Sequence, residues 1–502
     1  MSLLVQRVIW ESDPGPPFTS NPAQRSIEIL HDDILLYIFQ IYLQARHSIM
    51  NLLLICARWH NIVKSQPSLW CEIRYALEAT IIHRKRERVA SKSGYDWILP
   101  YDLGLTCTTP KQLARSIERL NGASFSITFL EPVTLENQAD HSWDCVPWGE
   151  FSERCTEIHI FNQNVSLPIL ENLPVMRNLR RASSIEYTER NIPRILHKIS
   201  KEIPSPLLDL SIGAPGDLDT NLFPSIAARI KVFDAGFVPF LLTLDDCRRL
   251  LSSFRDLEHL TWRWHRFDPD ELREAISWNF KLKTLTITNL FPSLFPLSLL
   301  AGLVELAIDV QQKPSIESYK AFLIDKGVEN HSLVALHSLT HLTLVGHWID
   351  LLRIHAPSLH KLVLQAGSIR PDSDAIRYLI HTRMRPSIVH IVDLGRGSML
   401  NGLLRQPFVD IVELKMHIPV QWVRSGHLVQ FLSVSKSGKK RGELMIAPNL
   451  RHLVVAVYSS LVTEKEAIKK AVEEAARARM ESGPLLSVRC LGEEVNFTLR
   501  SK

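Results

Sequence analysis

Cysteine is scarce in this 502-residue sequence, and its spacing argues against two kinds of structural framework. The seven cysteines are odd in number, lie far apart and include no Cys-x-x-Cys pair. Such a pattern disfavours both a disulfide scaffold and a cysteine-based zinc site. It indicates reduced thiols, and we therefore expect a cytoplasmic or nuclear location, or both.

An excess of either charge is also missing. Lys and Arg total 58 and Asp and Glu total 53, which leaves a formal net charge of +5. This balance makes no strong case for nucleic acid or an anionic membrane as the main partner, so we expect neither. The basic run 81–88 is interpreted as a solvated helix face, with a nuclear-import or anionic-surface patch as the alternative. A nuclear, nucleic-acid-associated protein that uses its basic runs remains a rival function.

Long apolar runs are absent as well. The most apolar stretch, residues 291–310, is interrupted by Pro292, Pro296, Glu305 and Asp309. A membrane-spanning helix needs about 20 mostly apolar residues. We therefore interpret this stretch as buried repeat core and expect no membrane span.

The motifs of common enzyme classes are not found. The chain has no Gly-x-Ser-x-Gly, no phosphate-binding Gly-x4-Gly-Lys-Ser/Thr, no His-Glu-x-x-His, and no Gly-x-Gly-x-x-Gly after a predicted strand. His141 and Cys145 are interpreted as part of a surface loop and not as a nucleophile pair, since no activating framework surrounds them. We expect a protein that is not an enzyme and that requires no cofactor or metal.

What is present begins with helical patterning near the N-terminus. Asp32 and Asp33 are typical of a helix start, and the apolar residues that follow predict one stripe at helical spacing. A second helix is predicted from Ile49 to Val63, and Pro67 ends it. Three short helices cannot bury much surface by themselves, so some apolar side chains should face a partner or the rest of the chain.

These residues resemble an F-box. Residues 30–39 read LHDDILLYIF, similar to the opening Leu-Pro-x-Glu-hydrophobic-Leu-x-x-Ile-Phe, with His31 in place of the proline. Residues 52–62 read LLLICARWHNI, similar to the second half, and residues 67–70 read PSLW, the usual ending. The resemblance implies docking on a Skp-family adaptor and, through it, on a cullin. It assigns adaptor contact or support to Leu30, Asp33, Ile34, Leu35, Ile38, Phe39, Leu52, Ile55, Cys56, Trp59, Pro67, Leu69 and Trp70.

Leucine makes up 72 of the 502 residues, and much of it falls in a recurring phrase, Leu-x-x-Leu-x-Leu/Ile. From residue 257 the phrases are spaced by 25, 21, 36 and 20 residues, and three of these intervals fit leucine-rich repeats of about 20–29 residues. Full copies begin at Leu207, Leu257, Leu282, Leu303, Leu339, Leu359 and Leu450, and weaker copies begin at Cys155 and Ile411.

The phrase predicts a short strand with two inward apolar residues, which only stacking against neighbouring repeats can bury. The usual Asn or Cys after the phrase is mostly missing, so we expect an irregular solenoid. Trp262 is either an interface anchor or core. Side chains between the apolar positions should face outward and form a binding surface: Thr261, Arg263, Thr286, Thr288, Ala307, Asp309, Thr343, Val345, Val363 and Gln365.

The predicted fold class is therefore α/β, a small all-α F-box domain followed by an irregular leucine-rich-repeat solenoid of the kind in fungal F-box-like families. That resemblance implies a substrate-receptor subunit of a Skp–cullin–F-box ubiquitin ligase, with an unknown protein target on the repeats. The alternative is a repeat scaffold whose F-box-like cap no longer binds the adaptor. The predicted organisation is a disordered leader (1–25), the F-box (26–74), linker helices and a first strand (75–130), the solenoid (131–462) and a C-terminal helix and cap (463–502).

Overall fold

The computed structural model describes the helical N-terminal region, the strands and the segments next to them. The predicted leader, the basic run 81–88 and most of the region 463–486 lie outside the described residues. Described are residues 30–44, 49–75, 106–107, 109–130, 143–161, 173–184, 207–212, 226–238, 250–264, 280–288, 300–310, 334–346, 354–366, 385–392, 410–419, 449–458, 470, 472–473, 476–477, 480, 485, 487–491 and 497–500.

The chain separates into two compact units, residues 1–127 and residues 128–502. The first unit begins with α1 (Asp32–Gln44), α2 (Ile49–Leu53), α3 (Ala57–Ser65) and a short 3-10 helix (Pro67–Leu69). We call residues 30–70 the helical module. It is followed by β1 (Glu72–Tyr75), β2 (Thr106–Cys107), α4 (Pro110–Arg119) and β3 (Phe125–Leu130).

The prediction of one helix from Ile49 to Val63 is wrong, because the helix is interrupted at residues 54–56 and a second helix begins after Cys56. The backbone of Cys56 is extended, and its Sγ accepts a hydrogen bond from the amide of Trp59 at 3.5 Å. This side chain satisfies one of the unpaired amides at the start of α3, so a new helix begins there. The two residues before it, Leu54 and Ile55, form the connection between α2 and α3.

Helix α4 lies within the region of the predicted linker helices, and both of its ends have recognisable capping residues. Thr109 caps the helix by accepting a hydrogen bond from the amide of Gln112 at 3.2 Å, and Pro110 occupies the first turn. The chain leaves the helix through Asn121 and Gly122, whose φ angles of 43° and 86° lie in the left-handed region that glycine adopts without strain.

The second unit consists largely of strands. Helix α5 (Trp148–Arg154) leads directly into the first of them. The strands are β4 (Cys155–Phe161), β5 (Arg181–Ser184), β6 (Asp209–Ile212), β7 (Val232–Val238), β8 (His259–Trp264), β9 (Thr284–Thr288), β10 (Glu305–Val310), β11 (Val334–Ala335), β12 (His341–Gly346), β13 (Ile354–His355), β14 (Lys361–Ala366), β15 (Ile388–Val392), β16 (Glu413–Pro419), β17 (His452–Tyr458), β18 (Ser487–Leu491) and β19 (Phe497–Arg500).

The strands pair in chain order, as a solenoid requires. From β4 to β18 each strand is parallel to the next, apart from β11 and β13, which form a small parallel sheet of their own. At the C-terminal end, β19 runs antiparallel to β18. The α/β fold class and the repeat-like parallel architecture are thus confirmed.

A hydrogen-bond pattern recurs where the chain enters β6–β10, β12 and β14–β17. Two successive amides donate to a single carbonyl of the preceding repeat. For example, Thr340 and His341 donate to the carbonyl of Val304 at 2.9 and 3.1 Å, and His360 and Lys361 donate to that of Thr340 at 2.9 Å each. This bonding joins successive repeats without the Asn or Cys of a regular leucine-rich repeat, which explains how an irregular sequence still stacks.

The inward positions form the core of the second unit. In β10, Leu306 and Ile308 are buried, and their register partners Leu342 and Leu344 in β12 are buried too. Three strands that the leucine phrase did not predict occupy equivalent positions: β5, β7 and β15. They escaped detection because Ala, Phe or Val replaces leucine at their inward positions.

Candidate partner-binding surfaces

The helical module has a small core of its own. Phe39 of α1 is fully buried, and its ring centroid lies 4.7 Å from that of Trp59 on α3. Trp70, at the end of the module, is joined to α3 by a hydrogen bond from its indole nitrogen to the carbonyl of Val63 at 2.7 Å. The buried core residues are Leu35, Phe39, Ile49, Leu52, Ile62, Val63 and Leu69.

Helix α1 starts correctly although His31 occupies the position of the usual proline. The carbonyl of His31 accepts hydrogen bonds from the amides of Ile34 at 3.0 Å and Leu35 at 3.1 Å. Arg58, in the first turn of α3, binds the carboxylate of Asp32 and the carbonyl of Leu30, both at 2.5 Å. These bonds hold the first turns of α1 and α3 at the same end of the module.

The face of α1 that does not contribute Leu35 and Phe39 to the core is apolar and exposed. Ile34, Tyr37, Ile38 and Ile41 are 49%, 63%, 40% and 47% exposed. Their spacing of i, i+3, i+4 and i+7 puts them in one row along the helix. Surface helices of globular proteins normally carry polar residues on such a face, so this row is unusual.

A second exposed apolar group lies at the end of the module that Arg58 holds together. Leu54 and Ile55, directly before α3, are 79% and 57% exposed. Within the described residues, six of the eight exposed large hydrophobic side chains belong to this module. Scattered exposed hydrophobics need no explanation, but a concentration of this kind marks an interaction surface.

The residues assigned to adaptor contact by sequence therefore separate into groups. Ile34, Ile38 and Ile55 are exposed, whereas Leu35, Phe39, Leu52 and Leu69 are in the module core. Asp33 lies in the first turn of α1, and Pro67 starts the 3-10 helix. Leu30, Cys56, Trp59 and Trp70 make the internal bonds and ring contacts described above.

Sequence reasoning omitted three exposed residues, Tyr37, Ile41 and Leu54. Helical spacing from Ile34 could have located the first two, because they fall three and seven residues later on the same face. Leu54 had no such signal, since its exposure depends on the break between α2 and α3.

The second candidate surface is the polar face of the sheet, formed by the strand residues between the buried ones. Thr261, Thr286, Ala307, Thr343 and Val363 are half-exposed there, as predicted. Asp309, Val345 and Gln365 are half-exposed as well. Thr288 was predicted to face outward but is buried, at 8% exposure, after the last inward residue of β9. Trp262 is 2% exposed and packs against Phe233 with centroids 6.2 Å apart, so it is core.

Histidines on this face are often held by a hydroxyl of the next strand. Nδ1 of His159 lies 2.6 Å from the hydroxyl of Ser183, and Nδ1 of His259 lies 2.8 Å from that of Thr284. His452 makes a corresponding contact with Ser487 at 2.9 Å. His360, directly before β14, contacts Ser387, directly before β15, at 2.7 Å.

A shallow depression of about 330 Å³ opens on the polar face over β9, β10, β12 and β14. Its floor consists of small side chains, among them Thr286, Ala307 and Thr343. Glu305 and Lys361 are among the charged residues that line it. The depression gives an extended peptide room to approach the strands.

In the described ranges, no group of three or more His, Cys, Asp or Glu is placed to hold a metal ion. Burial raises the pKa of the Cys155 thiol and also that of Cys107, where a hydrogen bond with Ser116 opposes the shift. Among the helices that can be described, none is long and apolar enough to cross a membrane.

The sequence matches no protein-family model, and a search of curated proteins finds no match.

Proposed function

We propose that this protein is an F-box substrate receptor of a Skp–cullin–F-box ubiquitin ligase. In this proposal the helical module docks on a Skp-family adaptor, and the repeat sheet presents a protein target. The observation that carries the proposal is the exposed row Ile34–Tyr37–Ile38–Ile41 on a module whose sequence resembles an F-box. A solenoid-like parallel sheet is, more generally, an architecture suited to a protein-interaction scaffold.

The energetics favour a protein partner for the exposed row. Burying an isoleucine side chain completely is favourable by about 1.5–3 kcal/mol. The three isoleucines of the row are each already about half covered, so a docked partner gains on the order of 3 kcal/mol from them. That gain, with Tyr37 as an aromatic anchor, is a substantial part of a micromolar interaction, which corresponds to about 8 kcal/mol.

The chain itself performs no bond chemistry in this role. It holds a target near the ubiquitin-loaded enzyme of the assembly, and this proximity increases the effective concentration of a target lysine. The absence of recognisable catalytic motifs in the sequence is compatible with a receptor of this kind.

The decisive experiment is a binding titration of the full chain with a purified Skp-family adaptor. Ile34→Asp combined with Ile38→Asp should weaken binding by at least about 100-fold, because two carboxylates would have to be desolvated in the interface. The matched control is Leu208→Asp combined with Val304→Asp, which places two carboxylates on exposed apolar residues directly before β6 and β10. Val304 is 38% exposed, close to the 40% of Ile38.

Three outcomes separate the hypotheses. Loss of binding in the double variant alone supports docking through α1. Equal binding by wild type and double variant contradicts it. If the wild type does not bind the adaptor at all, the scaffold alternative is favoured.

A further inference from the structure

Positive charge is neutralised in the early repeats, at Arg181 on the polar face of the sheet and at Lys231 and Lys283 directly before β7 and β9. The guanidinium Nε of Arg181 lies 2.7 Å from the carboxylate of Asp209 on the next strand. Lys231 lies 3.2 Å from Glu258, and Lys283 pairs with the same carboxylate. These contacts also lower the pKa of Glu258, chiefly through the hydrogen bonds from Lys283 and Lys231.

Two lysines of the later strands are not neutralised in this way. Lys361 begins β14 and Lys415 lies in the middle of β16, and both are half-exposed on the polar face. No carboxylate of the described residues forms an ion pair with either ammonium group. One carboxylate, Glu413, shares this face two residues before Lys415.

Two histidines lie beside these lysines. His390 of β15 is the register neighbour of Lys415, and its ring centroid is 4.9 Å from that of His417. Nε2 of His390 is buried without a hydrogen-bond partner in the part of the chain that the structure describes. This differs from His159 and His259, which contact hydroxyls, and a buried polar atom without a partner is unfavourable.

The local field at this cluster is positive. Burial, Lys415, His417 and Lys361 together lower the pKa of His390 to about 4. Burial and Lys415 also lower the pKa of His417. Both imidazoles are therefore mostly neutral at pH 7, because a further positive charge is unfavourable beside the two ammonium groups.

We propose that Lys361, His390, Lys415 and His417 bind a carboxylate-rich, extended segment of a protein partner. The proposal rests on the proposed function, since the segment would belong to the target that the sheet presents. A segment crossing the strands can continue from this cluster into the adjoining depression, which Lys361 also lines.

The geometry favours carboxylates over a phosphate group. The outward residues of β14, β15 and β16 include no arginine to clamp a phosphate with two parallel hydrogen bonds. The two lysines lie two strands apart, and the register displaces them by two residues along the strands. At the usual spacing and rise of parallel strands their Cα atoms are therefore about 12 Å apart. Two point charges at that distance suit two carboxylates better than one dianion.

The test is a fluorescence-anisotropy titration of the full chain with fluorescein-labelled hexaglutamate, with hexaglutamine as the neutral probe. We expect hexaglutamate to bind at least about tenfold more tightly than hexaglutamine, and Lys361→Gln with Lys415→Gln to remove that preference. The matched control is Lys231→Gln with Lys283→Gln, which changes the net charge equally but removes lysines already paired with Glu258. The control should bind hexaglutamate within about twofold of wild type.

Three results would overturn the proposal: no preference for hexaglutamate, equal losses in the two double variants, or at least tenfold tighter binding of a phosphoserine peptide of the same length. A pH series adds a readout specific to His390. Carboxylates nearby favour the protonated imidazole, so binding should strengthen about threefold from pH 7 to pH 5.5 in wild type and not in His390→Asn. An unchanged pH profile in that variant would exclude His390 from the site.

The adaptor titration keeps the two proposals distinguishable. Hexaglutamate binding that depends on Lys361 and Lys415, in a protein that fails to bind the adaptor, would leave this site in place and remove only the ligase role. Adaptor binding without any preference for hexaglutamate would do the reverse.

Discussion

The division of α1 into a buried face and an exposed face can be tested with two adjacent residues. Phe39 is fully buried and contacts Trp59, whereas Ile38 is 40% exposed. Phe39→Ala removes a complete aromatic ring from the core, which typically costs about 3–5 kcal/mol. Ile38→Ala removes aliphatic carbon that is only partly covered, so we expect a cost of about 1 kcal/mol.

The larger of these costs is comparable to the whole stability of so small a module. The core of residues 30–70 includes only seven buried hydrophobic side chains among the described residues. Domains of about 50 residues are marginally stable, with on the order of 5 kcal/mol between the folded and unfolded states. Phe39→Ala should therefore unfold the module, while Ile38→Ala should leave it folded.

Hydrogen–deuterium exchange read by mass spectrometry measures this locally. A single unfolding free energy for a chain of two units would not, because the two-state approximation fails there. In Phe39→Ala the amides of 32–65 should lose protection while those of β8–β16 keep theirs. In Ile38→Ala both regions should keep theirs. Equal loss of protection in the two variants, or greater loss in Ile38→Ala, would refute the assignment of the two faces.

Three further predictions follow from individual contacts. Iodoacetamide at pH 8 should label Cys56, which is exposed, and should not label Cys155, because burial raises the pKa of that thiol. Peptide mass spectrometry identifies the labelled cysteines, and labelling of Cys155 in the native protein would contradict this prediction. Thr109→Ala should cost about 1 kcal/mol by removing the cap of α4, seen as faster amide exchange in its first turn, while Thr109→Ser should retain the cap. Because the pKa of His390 is lowered in the folded protein, the unfolded state binds a proton more readily. The free energy of unfolding should therefore fall from pH 6.5 to pH 4, by on the order of 1 kcal/mol after solvent screening. A His390→Gln variant whose amide exchange in β15 has the same pH dependence as wild type would contradict this prediction.

Much of the architecture follows from local patterns that the sequence states directly. The acidic residues Asp32 and Asp33 mark the start of α1, and Thr109-Pro110 marks that of α4. Every full leucine phrase corresponds to a strand, because a phrase with two inward apolar residues can bury them only by stacking. A strand such as β15, where Val389 and Ile391 replace leucine, was missed by the same rule although its buried positions are equivalent.

Other features depend on contacts between residues far apart in the chain. Apolar residues at 34, 35, 38 and 39 predict a single stripe, and only the packing of α3 against α1 decided that Leu35 and Phe39 are buried and Ile34 and Ile38 are not. The sequence likewise places lysines on many strands without showing which of them meet a carboxylate. That depends on the register between repeats, because Lys283 and Glu258 are separated by a whole repeat and become neighbours only when the strands stack. The sequence by itself thus determined the helical module and the repeating strands, and the tertiary structure decided which apolar and charged groups remain for a partner, since that is set by what each repeat and helix covers.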